Sequence, residues 1–246
     1  MSTATAVPAV AVPTVGQLEL PGQTHVAEGP HDLSGMYMAH HAFRRDVADF
    51  AAAARWTPLF DAAAWRALDA RWQRFATVLH HHHTTEDTTL WPQLLECVDA
   101  AGDRSARETL EAMAAEHQRV DPLLQACGEG FAAMAQDPFA ATAEQLAQTT
   151  RAAREALLAH LRHEETEALP LLQRHLSAEG WERVEAAAAT GIAPRDLPFF
   201  VPWAAKGLDP ASREHLLAAS GRVMRVLLWA FGSHFERGEA VAFRYV

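Results

Sequence analysis

Four long stretches of the chain space their apolar residues three and four apart, and each of these stripes is interrupted by a histidine. Residues at that spacing fall on one side of a helix, because a turn takes 3.6 residues, so each stretch is predicted to be an amphipathic helix that buries the striped side. The first stripe is Met36, His40, Phe43, Val47 and Phe50, and the third is Leu110, Met113, His117, Val120 and Leu124. The second is Trp72, Phe75, Leu79, His82, Glu86 and Leu90; the fourth is Ala153, Leu157, His160, Glu164, Ala168 and Leu171. No segment alternates convincingly with period two. The expected fold class is all-α.

Start signals bound the helices. The first begins near residue 32 or 34 and runs towards 55, and the second follows Asp61, a plausible N-cap, to about 98. Ser105 to Glu108 and Thr142 to Gln145 have capping-box spacing, opening helices that end near 127–128 and 176. The connections are short enough for an antiparallel up-down-up-down four-helix bundle over residues 31–176, its longest irregular stretch being 128–141. Residues 1–30 are apolar but interrupted by prolines and lack a basic start, which reads as a disordered tail rather than a signal peptide. Residues 177–246 form a C-terminal helical extension: a short helix "AEGWERVEAAAAT", the proline-rich "APRDLPFFVPWAAKG", and a last helix from Asp209-Pro210 to about 234. It is expected to cover a side or end of the bundle, or to pack on a protein partner through Val223, Val226, Leu227 and Phe231.

Charge narrows the function classes. With 21 Lys and Arg against 31 Asp and Glu, the net charge of −10 argues against nucleic acid or an anionic membrane surface as partner. The longest later apolar run, 226–231, is far too short to span a membrane. Cys97 and Cys127 lack CxxC spacing, so neither a zinc knuckle nor a disulfide framework is implied, and a cytoplasmic location fits best.

Of the four consecutive histidines 80–83, only His82 continues its stripe and reaches Glu86; His80, His81 and His83 read by default as solvated or boundary side chains. An internal repeat supports the choice. His82/His160, Glu86/Glu164, Asp87/Glu165 and Pro92/Pro170 share one offset of 78 residues. On helix four, His163/Glu167 has the same spacing as His160/Glu164, but the repeat would put Thr85 opposite His163, so the stripe and the offset both select the first pair. Four histidines and two carboxylates would then converge between apolar layers. Burying ionised carboxylates without partners is very costly, and a cation offsets that cost while using neutral imidazoles. Imidazole and carboxylate without cysteine suit iron, manganese or zinc. The zincin motif HExxH is absent, since His163-Glu164 is followed by Glu165, Thr166 and Glu167.

With a histidine on helices one and three, HxxxE on helices two and four, and the acid doublets and prolines of "HTTEDTTLWP" and "HLRHEETEALP", the chain resembles the hemerythrin-like (HHE cation-binding) family. The resemblance covers roughly residues 32–176 and implies His40, His82, Glu86, His117, His160 and Glu164 as metal ligands. It further implies a non-haem di-iron centre, oxo- or hydroxo-bridged, with the glutamates bridging two irons. Asp121 stands where the family's animal members carry an additional histidine, and it is expected to turn inward as a further ligand. Pro122 removes a backbone donor beside it and should bend the helix. Two six-coordinate irons would keep roughly two positions for a small ligand. The implied ligands are dioxygen, nitric oxide or peroxide. Three classes of function remain: reversible binding or sensing, the commonest in the family; an enzyme that reduces nitric oxide or peroxide or supplies iron for repair; and a helical interaction module with a structural metal. The enzyme reading is weakened by the lack of an electron-transfer domain and of paired redox cysteines.

Overall fold

The computed structural model describes residues 14–219 and 221–246, and among these the chain is all-helical, with no strand. The elements are α1 (Ser34–Trp56), α2 (Ala62–Thr85), α3 (Trp91–Ala101), α4 (Arg104–Gln136), α5 (Ala140–His163) and α6 (Leu169–His175). They are followed by α7 (Ala178–Thr190), α8 (Leu197–Ala205), α9 (Pro210–Ala219) and α10 (Gly221–Ala242). Between α2 and α3, and again between α5 and α6, the chain continues through one widened π turn, Glu86–Leu90 and Glu164–Ala168.

The long helices bury the striped sides that the sequence marks. α1 packs on α5 and α2, α2 on α4, and α4 on α5. Phe43, Phe50, Trp72, Phe75 and Phe131 are fully buried among them, and the Phe50 ring meets Trp72 at a centroid distance of 4.8 Å. Full burial of each such side chain contributes roughly 1.5–3 kcal/mol.

Four expectations are corrected. Helix three does not end at 127–128: α4 runs on to Gln136 and takes up most of the expected linker. Its glycines serve close packing instead, since a Cβ at Gly130 would lie 2.7 Å from Leu146 Cδ1 and one at Gly128 would lie 3.1 Å from Trp72 Nε1. The capping-box starts are replaced as well. Asp103 caps α4 by accepting from the Ala106 N–H, and α5 begins at Ala140 behind Phe139 with no side-chain cap. Residues 14–30 are packed rather than tail-like: Leu20 and Ala27 are buried, and the Ala27 N–H donates to the Tyr37 hydroxyl at 2.8 Å. The rest of the expected tail, residues 1–13, lies outside the described residues. The last helical stretch, α9 and α10, extends to Ala242 rather than to about 234.

The C-terminal helices pack on the preceding ones. α8 packs on α10 and α1, α10 on α2, and α7 on α2. An ionic node ties the layers together. Arg71 of α2 is hydrogen-bonded to Asp46 of α1 and Glu239 of α10, with the Phe199 ring 5.0 Å from its guanidinium carbon. The Trp203 indole N–H donates to Asp46 at 2.7 Å, and Lys206 donates to Glu239 at 2.8 Å. Burial alone would raise the Asp46 carboxyl, but Arg71, Arg45 and Trp203 outweigh it and hold it below the usual carboxylate range. Val223, Val226 and Trp229 remain exposed on α10. No helix of the described residues is long and apolar enough to cross a membrane.

Removing one member of a buried ion group strands the others. Arg71→Ala should therefore destabilise the fold by about 3–5 kcal/mol, read as an earlier urea or thermal unfolding transition, whereas Arg225→Ala, at an exposed pair with Glu214, should change it by under about 1 kcal/mol.

Candidate metal centre

Two groups of donors meet in the middle of the helices. His40, His82, Glu86 and Glu164 offer ligand atoms within 4.8 Å of one another, and so do His83, His117 and His160. The glutamates lie between the groups. Glu86 presents Oε1 to His82 Nε2 at 3.0 Å and Oε2 to His117 Nε2 at 3.5 Å. Glu164 Oε2 is 3.2 Å from His40 Nε2 and 3.8 Å from His160 Nε2. Glu164 is 0% and Glu86 2% exposed.

The backbone contributes to this placement. Both π turns begin at the glutamate, with the Trp91 N–H donating to the Glu86 carbonyl and the Leu169 N–H to that of Glu164. Pro92 and Pro170, which have no N–H to offer the turn behind them, follow directly. Such wide turns are common at functional sites.

A second layer of carboxylates holds the rings. His40 Nδ1–H donates to Glu165 at 3.0 Å, His83 Nδ1–H to Asp121 at 3.0 Å, His117 Nδ1–H to Asp87 at 2.9 Å and His160 Nδ1–H to Glu116 at 3.0 Å. A carboxylate only accepts, so each Nδ1 carries a proton and each Nε2, once free of a second proton, is a lone-pair donor facing the interior. Glu165 is fixed in turn by two bonds of 2.8 Å from Arg44 and one of 2.8 Å from the Thr24 N–H, which gives residues 14–30 a part in the site.

These donor atoms lack other employment. The Nε2 atoms of His40, His82 and His83 and both oxygens of Glu86 and of Glu164 are buried without a hydrogen-bond partner. The short His–Glu separations are contacts without hydrogen-bond alignment. His117 and His160 point Nε2 at Nε2 across 3.1 Å, where two lone pairs would oppose each other. Orphaned buried acceptors at this density are costly, and cations of imidazole and carboxylate preference fit the set.

Protons show the same strain. Burial opposes charge on His40, but Glu164 and Glu165 overcome it and push the imidazole up to about 9. Burial and the neighbouring Glu164 push Glu86 up to about 8, while burial drives His82 and His83 down to about 3. Burial would also raise Glu164, yet His40 beside it holds it below the usual range.

All six residues of the HHE pattern come together. Asp121 does not join them: its carboxylate is 47% exposed on the side chain and holds the back of His83. The inward reading therefore gives way to a supporting one, and the imidazole that Asp121 holds, His83, is 1% exposed and stacked on His117 at 4.1 Å. A single stripe is too narrow a criterion here, since a buried helix side spans 100° or more and admits two adjacent residues. The other histidines of the run divide as expected or take a new role. His80 is exposed, whereas His81 Nε2–H donates to the Ala188 carbonyl of α7 at 3.0 Å. His163 stays outside both groups on Glu116 at 2.9 Å, and Glu167 is exposed. Glu116 gave no signal in the sequence beyond its place next to His117.

An all-helical chain whose core carries paired imidazole groups joined by shared carboxylates is a cation-binding helical protein in its chemistry. The family model described as hemerythrin HHE cation binding domain matches residues 31–172, and the chain belongs to that family. Neither the curated proteins nor the solved structures give a significant match.

Three outcomes are expected. Glu164→Ala should lose bound metal and Glu167→Ala should keep it, by elemental analysis of the purified variants. Asp121→Ala should weaken metal about 10–100-fold without emptying the site, read by competition with a chelator. Metal must displace the protons that His40 and Glu86 hold below pH 8, so apparent affinity should fall on acidification by up to about a hundredfold per pH unit, tenfold for each proton released.

Proposed function

We propose that the chain is a non-haem di-iron protein of the hemerythrin type that binds or senses dioxygen or nitric oxide. On this reading residues 31–176 form an antiparallel four-helix bundle around the metals and residues 177–246 are an extension packed on it. The ligands are His40, His82, Glu86, His117, His160 and Glu164, with His83 added. The observation that carries the reading is the pair of buried glutamates, each shared between two imidazole groups and left with no other partner.

Iron bound there would supply a redox-active site able to take a small exogenous ligand. The chain's residues set the conditions for it. Phe43 stands 5.1 Å from the His82 ring and sets an apolar face beside that end of the site. The supporting carboxylates keep the imidazoles in one tautomer and orientation. The two groups are unequal: three imidazoles on one side, His83, His117 and His160, against two on the other, His40 and His82. The side with fewer donors has more room for an exogenous ligand. His83 leaves the whole site with roughly one free position instead of the two that four imidazoles would leave.

Protein made in iron-replete cells should carry about two irons per chain. Reduced protein exposed to dioxygen or nitric oxide should show a spectral change that reverses when the gas is removed, with slow autoxidation. One zinc per chain, or rapid irreversible oxidation with turnover of an added reductant, would contradict the reading.

A further inference from the structure

A cavity of about 580 Å³ lies between α1, α2 and the extension, and its inner wall includes His82, Glu86 and Phe43. A diatomic ligand does not require it. A passage for such a molecule needs little more than the share of one water, about 30 Å³, so the cavity is roughly twenty times too large for that purpose. It lies instead within the 300–1,000 Å³ typical of sites for small organic molecules.

The extension builds this space rather than merely bordering it. Trp181, Val184 and Ile192 of the α7 region and Phe199 and Phe200 of α8 supply the outer wall. The wall is held in place at its far end: His81 bonds the Ala188 carbonyl, and α7 ends at Gly191, where a Cβ would fall 1.8 Å from the His81 ring. The lining is mainly apolar and aromatic. Its hydroxyls are spoken for, since Thr77 donates to the Gln73 carbonyl at 2.8 Å and Thr85 to that of His81 at 2.9 Å. Trp181 is 9% exposed, its indole N–H buried behind the lining. Besides Glu86 on the inner wall, three carboxylates, Asp32, Glu185 and Asp196, line the cavity against one guanidinium, Arg74, which sits over the Phe199 ring at 5.1 Å. That balance disfavours anions.

We infer that this cavity is a binding site for one neutral, largely apolar aromatic molecule, held between the extension and the bundle with one end against His82 and Glu86. Its apolar body fills the space between Phe43, Val78 and Phe199. The inference rests on the di-iron reading only for what lies beyond the inner wall.

The probe is prodan, a neutral naphthalene ketone whose emission reports polarity, titrated into the full chain as purified and after chelation. One saturable, blue-shifted site is expected in both forms, and anilinonaphthalene sulfonate, an anion of similar size, should bind at least tenfold more weakly. Val78→Trp and Val184→Trp fill the cavity from opposite walls and should each weaken prodan at least tenfold. Circular dichroism and metal content are measured on every protein, and a variant that unfolds is replaced by the smaller Val78→Phe or Val184→Phe. Non-saturable binding, equal or tighter binding of the anion, or unchanged affinity in folded variants at both walls would overturn the inference. Metal stoichiometry decides the di-iron reading separately: prodan binding to a chain that holds no metal would leave the cavity standing and remove the irons.

Discussion

Glu86 and Glu164 sit between five imidazoles in an otherwise apolar core, with no hydrogen-bond donor for any of their four oxygens. Ionised carboxylates withdrawn from water cost several kcal/mol each unless something positive replaces the solvent. Protons on His40 and Glu86 meet part of that need in the bare chain, which is why both groups titrate far above their ordinary values. Cations would meet it more fully. The positions of the four long helices follow from this constraint, since each must bring a donor to the same small volume.

The support of the site repeats with the sequence. In each half, the glutamate of HxxxE turns inward at the start of a π turn, and the acid beside it holds a histidine on a neighbouring helix: Asp87 on His117 and Glu165 on His40. The doublet thus combines a donor and a brace in consecutive residues. The two halves are not equivalent, however. His83 and Asp121 add an imidazole and its brace on one side only, and the cavity adjoins the other. Asymmetry in donor number and asymmetry in access coincide at the His40 and His82 end.

Much of this could be read from the chain. Stripes at helical spacing mark the buried histidines, and the offset of 78 residues separates His160/Glu164 from the competing pair His163/Glu167. What escaped were features that depend on neighbouring helices. His83 is one residue off its stripe and becomes internal because α4 brings His117 and Asp121 against it. Gly128 and Gly130 look like a helix end until Trp72 and Leu146 are seen to occupy the space where side chains would be. Residues 14–30 have a tail's composition, yet Glu165 and Tyr37 engage their backbone amides. The cavity is least visible of all, because its walls come from segments more than a hundred residues apart.

Anomalous diffraction from crystals of iron-loaded protein, collected at the iron edge, tests the central claim most directly. Two peaks are predicted, roughly 3.5–4 Å apart as in paired-metal sites, one among His40 and His82, the other among His83, His117 and His160, with Glu86 and Glu164 between them. A single peak, or density at His163 and Glu167, would contradict the account.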